Sequence, residues 1–193
     1  MTDISDEELG RIVTSVVRAT LGISTSPTTT PSPVPAPKAS GSNTVALGAD
    51  HGGYRLKELL ADHLAKAGFT IVDCGTSSEE AVDYPDFAAD VARKVAAGEA
   101  WRGIVVDGAG IGSCMVANKI PGIRAAMCHD HATAVNSRQH NDANVLTLGA
   151  GLIGDALARQ IVDVWLATEF AGGRHTRRVE KIMALQSNPR KAE

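Results

Sequence analysis

The sequence predicts an α/β fold: a doubly wound, five-stranded parallel sheet with helices on both faces, plus a tethered N-terminal helix. Three observations carry that expectation. Apolar runs of strand length alternate with segments of helical periodicity from residue 44 onward. Glycine-rich turns follow several of the runs, as they do where a strand feeds a helix. Ahead of this region lies a proline-rich stretch that cannot join a packed core, and ahead of that a short amphipathic segment.

In chain order, residues 1–23 are expected to form an amphipathic helix. In ISDEELGRIVTSVVRATLG, Leu9, Ile12, Val13, Val16, Val17 and Leu21 recur at three- and four-residue steps and share one face. Ser5 and Glu8 form a capping box, and Ile4 against Leu9 fits a hydrophobic staple. A helix this short is marginal alone, so its apolar stripe is expected to dock, either in a partner's groove or back on its own domain. Its acidic start, Asp3, Asp6, Glu7 and Glu8, excludes a secretory signal. Only Arg11 and Arg18 are basic, too few for a membrane-surface helix. Residues 24–43 hold five of the eight prolines and read as a semi-rigid linker.

Residues 44–193 form the third part. TVALGA (44–49), FTIVDC (69–74), GIVVDG (103–108), IRAAMC (123–128) and NVLTLG (144–149) are the expected strands. Helices are expected over Tyr54–Ala67, Phe87–Ala97, Ser113–Asn118, His131–Arg138, Leu152–Thr168 and Arg178–Leu185. Such a sheet is Rossmann-like, and its ligands sit beyond the carboxyl ends of the strands. The residues there are Asp50 to Gly53, Asp73 to Thr76, Asp107 to Gly112, His129 to His131 and Gly149 to Gly151. In DGAGIGS a glycine-rich turn leaves a strand and opens a helix. Its backbone N–H groups suit an anion, whether a phosphate or an enediolate oxygen. A dinucleotide site would want GxGxxG after the first strand, which here ends in GADHGG.

Composition narrows the partners. Nineteen Lys and Arg against 22 Asp and Glu give a net charge of −3, and aromatic residues are 4%. That leaves neither the basic excess nor the stacking platforms that nucleic-acid binding uses. No apolar run approaches the 18 or so residues of a membrane span. Cys74, Cys114 and Cys128 share no CxxC spacing and read as thiols of a reducing, cytoplasmic compartment. His129-Asp130-His131 and Asp50-His51 supply metal-ligand types without HxxxH or HExxH spacing, so no metal site is assigned.

Five segments occur in a telling order: VALGADHGGYRLK, VDYPDFA, the DGAGIG loop with ANKIPGIRAA, SRQHNDANVLTLGA, and TEFAGGRHTRRVEKI. From about Thr44 to about Ile182 they resemble ribose-5-phosphate isomerase type B, a family shared with galactose-6-phosphate isomerase subunits. The resemblance implies aldose–ketose isomerisation of a sugar phosphate through a cis-enediol, most simply ribose 5-phosphate to ribulose 5-phosphate. It implies no cofactor, and a homodimer or tetramer with active sites between subunits. The N-terminal helix and linker resemble the encapsulation peptides of bacterial microcompartments, which implies a shell protein as partner for residues 4–22.

The resemblance also implies roles. His140 opens the sugar ring, an imidazole being able to exchange a proton near neutrality, and Asn141 beside it binds substrate. Asp50 and His51 grip the sugar and phosphate, Tyr84 contacts the sugar, and Gly108, Ala109, Gly110 and Gly112 form the anion-binding turn. Arg174 and Arg178, at i and i+4, form a phosphate clamp on one helical face.

Four positions depart from the family pattern. Asp107 stands where many relatives carry a proton-transferring cysteine, and Ser113 where others carry a glutamate. Asp107 is then the base, a weak one unless its surroundings raise its basicity; Cys114 is the other candidate and is expected to pack within its helix. Gly151 stands where relatives commonly have a phosphate-binding arginine, and Ala109 replaces a frequent Thr or Ser. The rival reading is a catalytically impaired sugar-phosphate-binding subunit, or an isomerase for a different aldose phosphate, delivered as microcompartment cargo.

Overall fold

Residues 43–187 are described in the computed structural model, and five parallel strands form its centre. The strands are β1 (Thr44–Ala49), β2 (Thr70–Asp73), β3 (Arg102–Asp107), β4 (Ala125–Met127) and β5 (Val145–Gly149). Their order across the sheet is β2-β1-β3-β5-β4. The helices are α1 (Tyr54–Lys66), α2 (Tyr84–Ala96), α3 (Ile111–Ala117), α4 (His131–Asn141), α5 (Asp155–Ala167) and α6 (Thr176–Ser187). The docking helix and linker expected over residues 1–42 lie outside the described residues.

Alternation along the strands builds two cores. Val45, Leu47, Ile104, Val106, Leu146 and Leu148 face one side, against Leu56, Leu60 and Leu64 of α1 and Ile161, Val162 and Trp165 of α5. Ala46, Val105 and Val145 face the other, against Ala88, Val91, Ala92 and Val95 of α2 and Ala117 of α3. Burial on both faces explains why the strands read as continuous apolar runs.

The boundaries shift where local chemistry overrides periodicity. Helix α2 begins at Tyr84 and not Phe87, because Pro85 occupies its first turn, where a missing N–H costs nothing. Helix α4 runs to Asn141 and ends on Asp142 in a left-handed conformation. Strand β4, at the sheet edge, keeps only three residues. Helix α6 begins at Thr176, two residues before the expected Arg178, directly after a 3₁₀ turn, Gly173–His175, which Gly172 and Gly173 enter at positive φ.

The connection from β1 runs toward β2, whereas the chain leaving β3 runs toward β4 and β5. The crevice beyond the carboxyl ends of β1 and β3 is therefore the switch point where such sheets take ligands.

Candidate active site

Asp107 ends β3 with a carboxylate that is only 5% exposed. Its Oδ1 accepts from the N–H groups of Ala109, at 2.8 Å, and Gly110. Its Oδ2 accepts from Ser113 N, at 3.1 Å, and from the Ser113 hydroxyl. Ser113 is the third residue of α3, so Asp107 caps that helix from outside it, across the whole turn. The turn closes because Gly110 holds φ 77° and its carbonyl accepts from Thr147 Oγ1 at 2.8 Å. The N–H groups of Ile111 and Gly112 open the helix without intrahelical acceptors, which leaves them for an anion.

The loop after β1 lies against this turn. Gly53 N donates to Asp50 Oδ1 at 3.0 Å, and Asp50 is itself buried. A methyl group on Gly52 would sit 3.6 Å from Gly108 N, so the two loops are in contact. His51 Nδ1 lies 3.3 Å from Val82 N, which ties it to the segment before Tyr84. The Tyr84 ring lies over Gly112: a methyl group there would come within 2.6 Å of the ring and 2.8 Å of its hydroxyl. Asp50, His51, Tyr84 and the 107–112 turn thus form one cluster at the carboxyl edge. Gly151 belongs to it as well, donating to Gly108 O at 3.0 Å. A Cβ at 151 would itself meet that carbonyl at 3.0 Å, so any larger residue there would need the loop to give slightly.

His140, Asn141, Arg174 and Arg178 are elsewhere. His140 and Asn141 finish α4, three residues before β5 begins, and β5 enters opposite Gly103 and leaves opposite Asp107. The length of β5, about 13 Å, separates the two levels. At the amino edge His140 stacks on His175, with ring centroids 4.2 Å apart. Arg174 sits in a 3₁₀ turn, Gly173–His175, and only Arg178 lies in α6. The expectation of one shared α-helical face for this pair is thus corrected, the two glycines at positive φ being the cause. Both guanidinium groups are exposed, and both stand close enough to His175 to lower its pKa.

The sequence reading passed over two residues of the second cluster. Asn136 lies one turn before His140, so helical spacing could have found it. His175 adjoins Arg174, but nothing in the sequence signals that its ring stacks on His140. Burial pushes the Cys74 thiol up to about 11 and also raises that of Cys128, while Cys114 Sγ faces Ala125 O. Among the described residues, no three His, Cys, Asp or Glu side chains are placed to hold a metal ion. No helix among them is long and apolar enough to cross a membrane.

The family described as Ribose/Galactose Isomerase matches residues 45–182, well over half of the chain. The chain belongs to that family. It is 46% identical over 142 residues to ribose-5-phosphate isomerase B of Escherichia coli K12, covering 74% of this chain and 95% of the relative. It is 44% identical over 140 residues to the D-erythrulose-4-phosphate isomerase of Pectobacterium atrosepticum, covering 72% of this chain and 92% of that one. Among solved structures, ribose-5-phosphate isomerase B of Clostridium thermocellum superposes with a TM-score of 0.75 at 51% identity, over 76% of this chain and 99% of that one. This ribose/galactose isomerase family member is therefore a sugar-phosphate isomerase of the ribose-5-phosphate isomerase B type.

Proposed function

We propose that the protein interconverts ribose 5-phosphate and ribulose 5-phosphate through a cis-enediol, in a site assembled from two copies of the chain. The observation that supports this best is the separation of the two clusters. Asp50, His51, Tyr84 and Asp107 lie at the carboxyl edge of the sheet, and His140, Arg174 and Arg178 at the amino edge. A substrate needing both sets is served by one cluster from each of two copies. Ile111, Met115 and Leu152 are exposed beside the first cluster, an apolar surface of the kind a second copy covers.

In this reading His140 assists ring opening, and Arg174 and Arg178 hold the phosphate together with His51. The first-turn N–H groups of α3 stabilise the enediolate oxygen. Asp107 takes the C2 proton and returns it at C1. To do so it must free a lone pair, since each of its oxygens already accepts two hydrogen bonds. Rotation of the Ser113 hydroxyl frees one without moving the backbone.

The same four bonds favour a second reading, in which Asp107 only anchors the loop and the chain is an impaired sugar-phosphate-binding subunit. Turnover of ribose 5-phosphate by the wild type and by Asp107→Asn separates the two. A base predicts wild-type turnover that falls at least about 100-fold in the mutant while ribose 5-phosphate still binds. An anchor in an impaired subunit predicts no wild-type turnover, and a mutant that no longer binds ribose 5-phosphate. The erythrulose phosphate of one relative's name makes four-carbon substrates the other class to assay, with Ala109 and Gly151 as the positions that would admit them.

Residues 4–22, on the linker of residues 24–43, are proposed to carry the enzyme to a microcompartment shell. Deleting residues 1–42 is expected to abolish co-purification with shell protein and leave kcat unchanged; loss of turnover on deletion would instead tie the segment to the isomerase domain.

A further inference from the structure

His140 leaves the end of α4 held from two sides. Asn136 Nδ2 lies 2.9 Å from its Nδ1. An amide nitrogen only donates, so Nδ1 accepts and the neutral ring carries its proton on Nε2. The amide is itself oriented, because Asn141 Nδ2 donates at 3.4 Å to both Asn136 Oδ1 and the Asn136 carbonyl. Turning the Asn136 amide over would set two NH₂ groups against each other. On the other side the His175 ring stacks nearly parallel, at an interplanar angle of 5°.

His175 is 7% exposed, and its Nε2 accepts from Arg174 Nε at 3.4 Å. Its own proton is then on Nδ1, a buried nitrogen without a partner among the described residues. Burial foremost, then His140, Arg174 and Arg178, lower its pKa and keep it neutral. An uncharged flat ring can support His140 without competing for its proton.

We propose that Asn136 and His175 are positioning residues that set the tautomer and ring plane of His140, so that the neutral ring presents a donor at Nε2. The inference rests on the ring-opening role given to His140 above. Ring opening breaks the bond between C1 and the ring oxygen, and the proton lost by the anomeric hydroxyl reaches that oxygen through solvent water; the neutral Nε2–H keeps its own proton and donates a hydrogen bond to the negative charge that develops there. A fixed N–H facing the ring oxygen suits this step, and a tautomer mixture would offer it only part of the time.

Histidine-ring nitrogen NMR on the full chain reads the tautomer directly, at a pH where the ring is neutral. The wild type is expected to show His140 protonated on Nε2. Asn136→Asp, whose carboxylate can only accept, is expected to move the proton to Nδ1, and Asn136→Leu to give a mixture. Asn136→Leu should also lower kcat about tenfold, the worth of one hydrogen bond, with KM kept within about twofold. His175→Ala should cost more kcat than His175→Phe, which keeps a flat face. A wild-type His140 protonated on Nδ1, a tautomer indifferent to Asn136→Asp, or an unchanged kcat in Asn136→Leu would overturn the inference. A wild type with the expected tautomer but no aldose-phosphate turnover would overturn the functional reading and leave the tautomer assignment in place.

Discussion

The carboxylate of Asp107 accepts from three backbone N–H groups and one hydroxyl, and those donors belong to the 107–112 turn and to Ser113 in the first turn of α3. Removing its charge therefore affects the loop as well as the chemistry. The amide of Asp107→Asn would place an NH₂ where only acceptors fit, leaving buried donors unpaired at a cost of about 2 kcal/mol. A thermal melt of Asp107→Asn is expected to shift down by about 4–8 °C. The position was legible in the sequence as the one following an apolar strand and preceding glycines. The partner Ser113 hydroxyl was not, because a contact six residues away depends on how the turn closes. Burial holds the Cys74 and Cys128 thiols above the ordinary thiol value, which sets both apart from a thiolate base. Cys74 is pushed up to about 11, by burial first and Asp90 next, so the protonated form persists until pH rises through that value. At pH 8 only about one Cys74 in a thousand is ionised. Alkylation at that pH, followed by peptide mass spectrometry, should label Cys74 far more slowly than a free thiol; rapid labelling would return it to the list of possible bases.

Helix α4 carries His140 and Asn136, and its C-terminal end is fixed by Arg138. That side chain is 3% exposed and donates to Asp142 Oδ1 and the Ala143 carbonyl, each at 2.7 Å, and to the Thr168 carbonyl at 3.1 Å. Trp165, wholly buried on α5, donates to Ser137 Oγ at 3.1 Å and packs the same turn from below. Arg138→Met leaves two carbonyls without their donor, so a loss of about 2–3 kcal/mol is expected in denaturant unfolding. Because the end of α4 then loosens, kcat should fall along with stability; a destabilised variant with full kcat would show that the helix end does not position His140. Strong periodicity made the helices legible, and the errors lie at their ends. Pro85 sits in the first turn of α2, which starts at Tyr84 ahead of the expected Phe87, and a 3₁₀ turn after Gly172 keeps Arg174 outside α6. Caps and positive φ angles are decided by a few residues each, below what periodicity detects.

Across the molecule, the order of strands follows from alternation only as far as a parallel sheet. That β5 inserts between β3 and β4, and that the connections after β1 and β3 leave in opposite directions, is seen only in the folded sheet. The candidate residues were legible as motifs, but not their division between the two edges of the sheet. Segment order along the chain carries no record of which end of a strand a helix returns to until the register is known. This division makes the two-copy site the central claim. The measurement that tests it most directly is turnover of ribose 5-phosphate by mixed oligomers of Asp107→Asn and His140→Asn chains, each inactive alone. If one cluster from each copy forms a site, random pairing makes half the dimers mixed, each with one intact site, and about a quarter of wild-type activity returns. If both clusters act within a single chain, every site in the mixture carries a mutation and no activity returns, which would contradict the account.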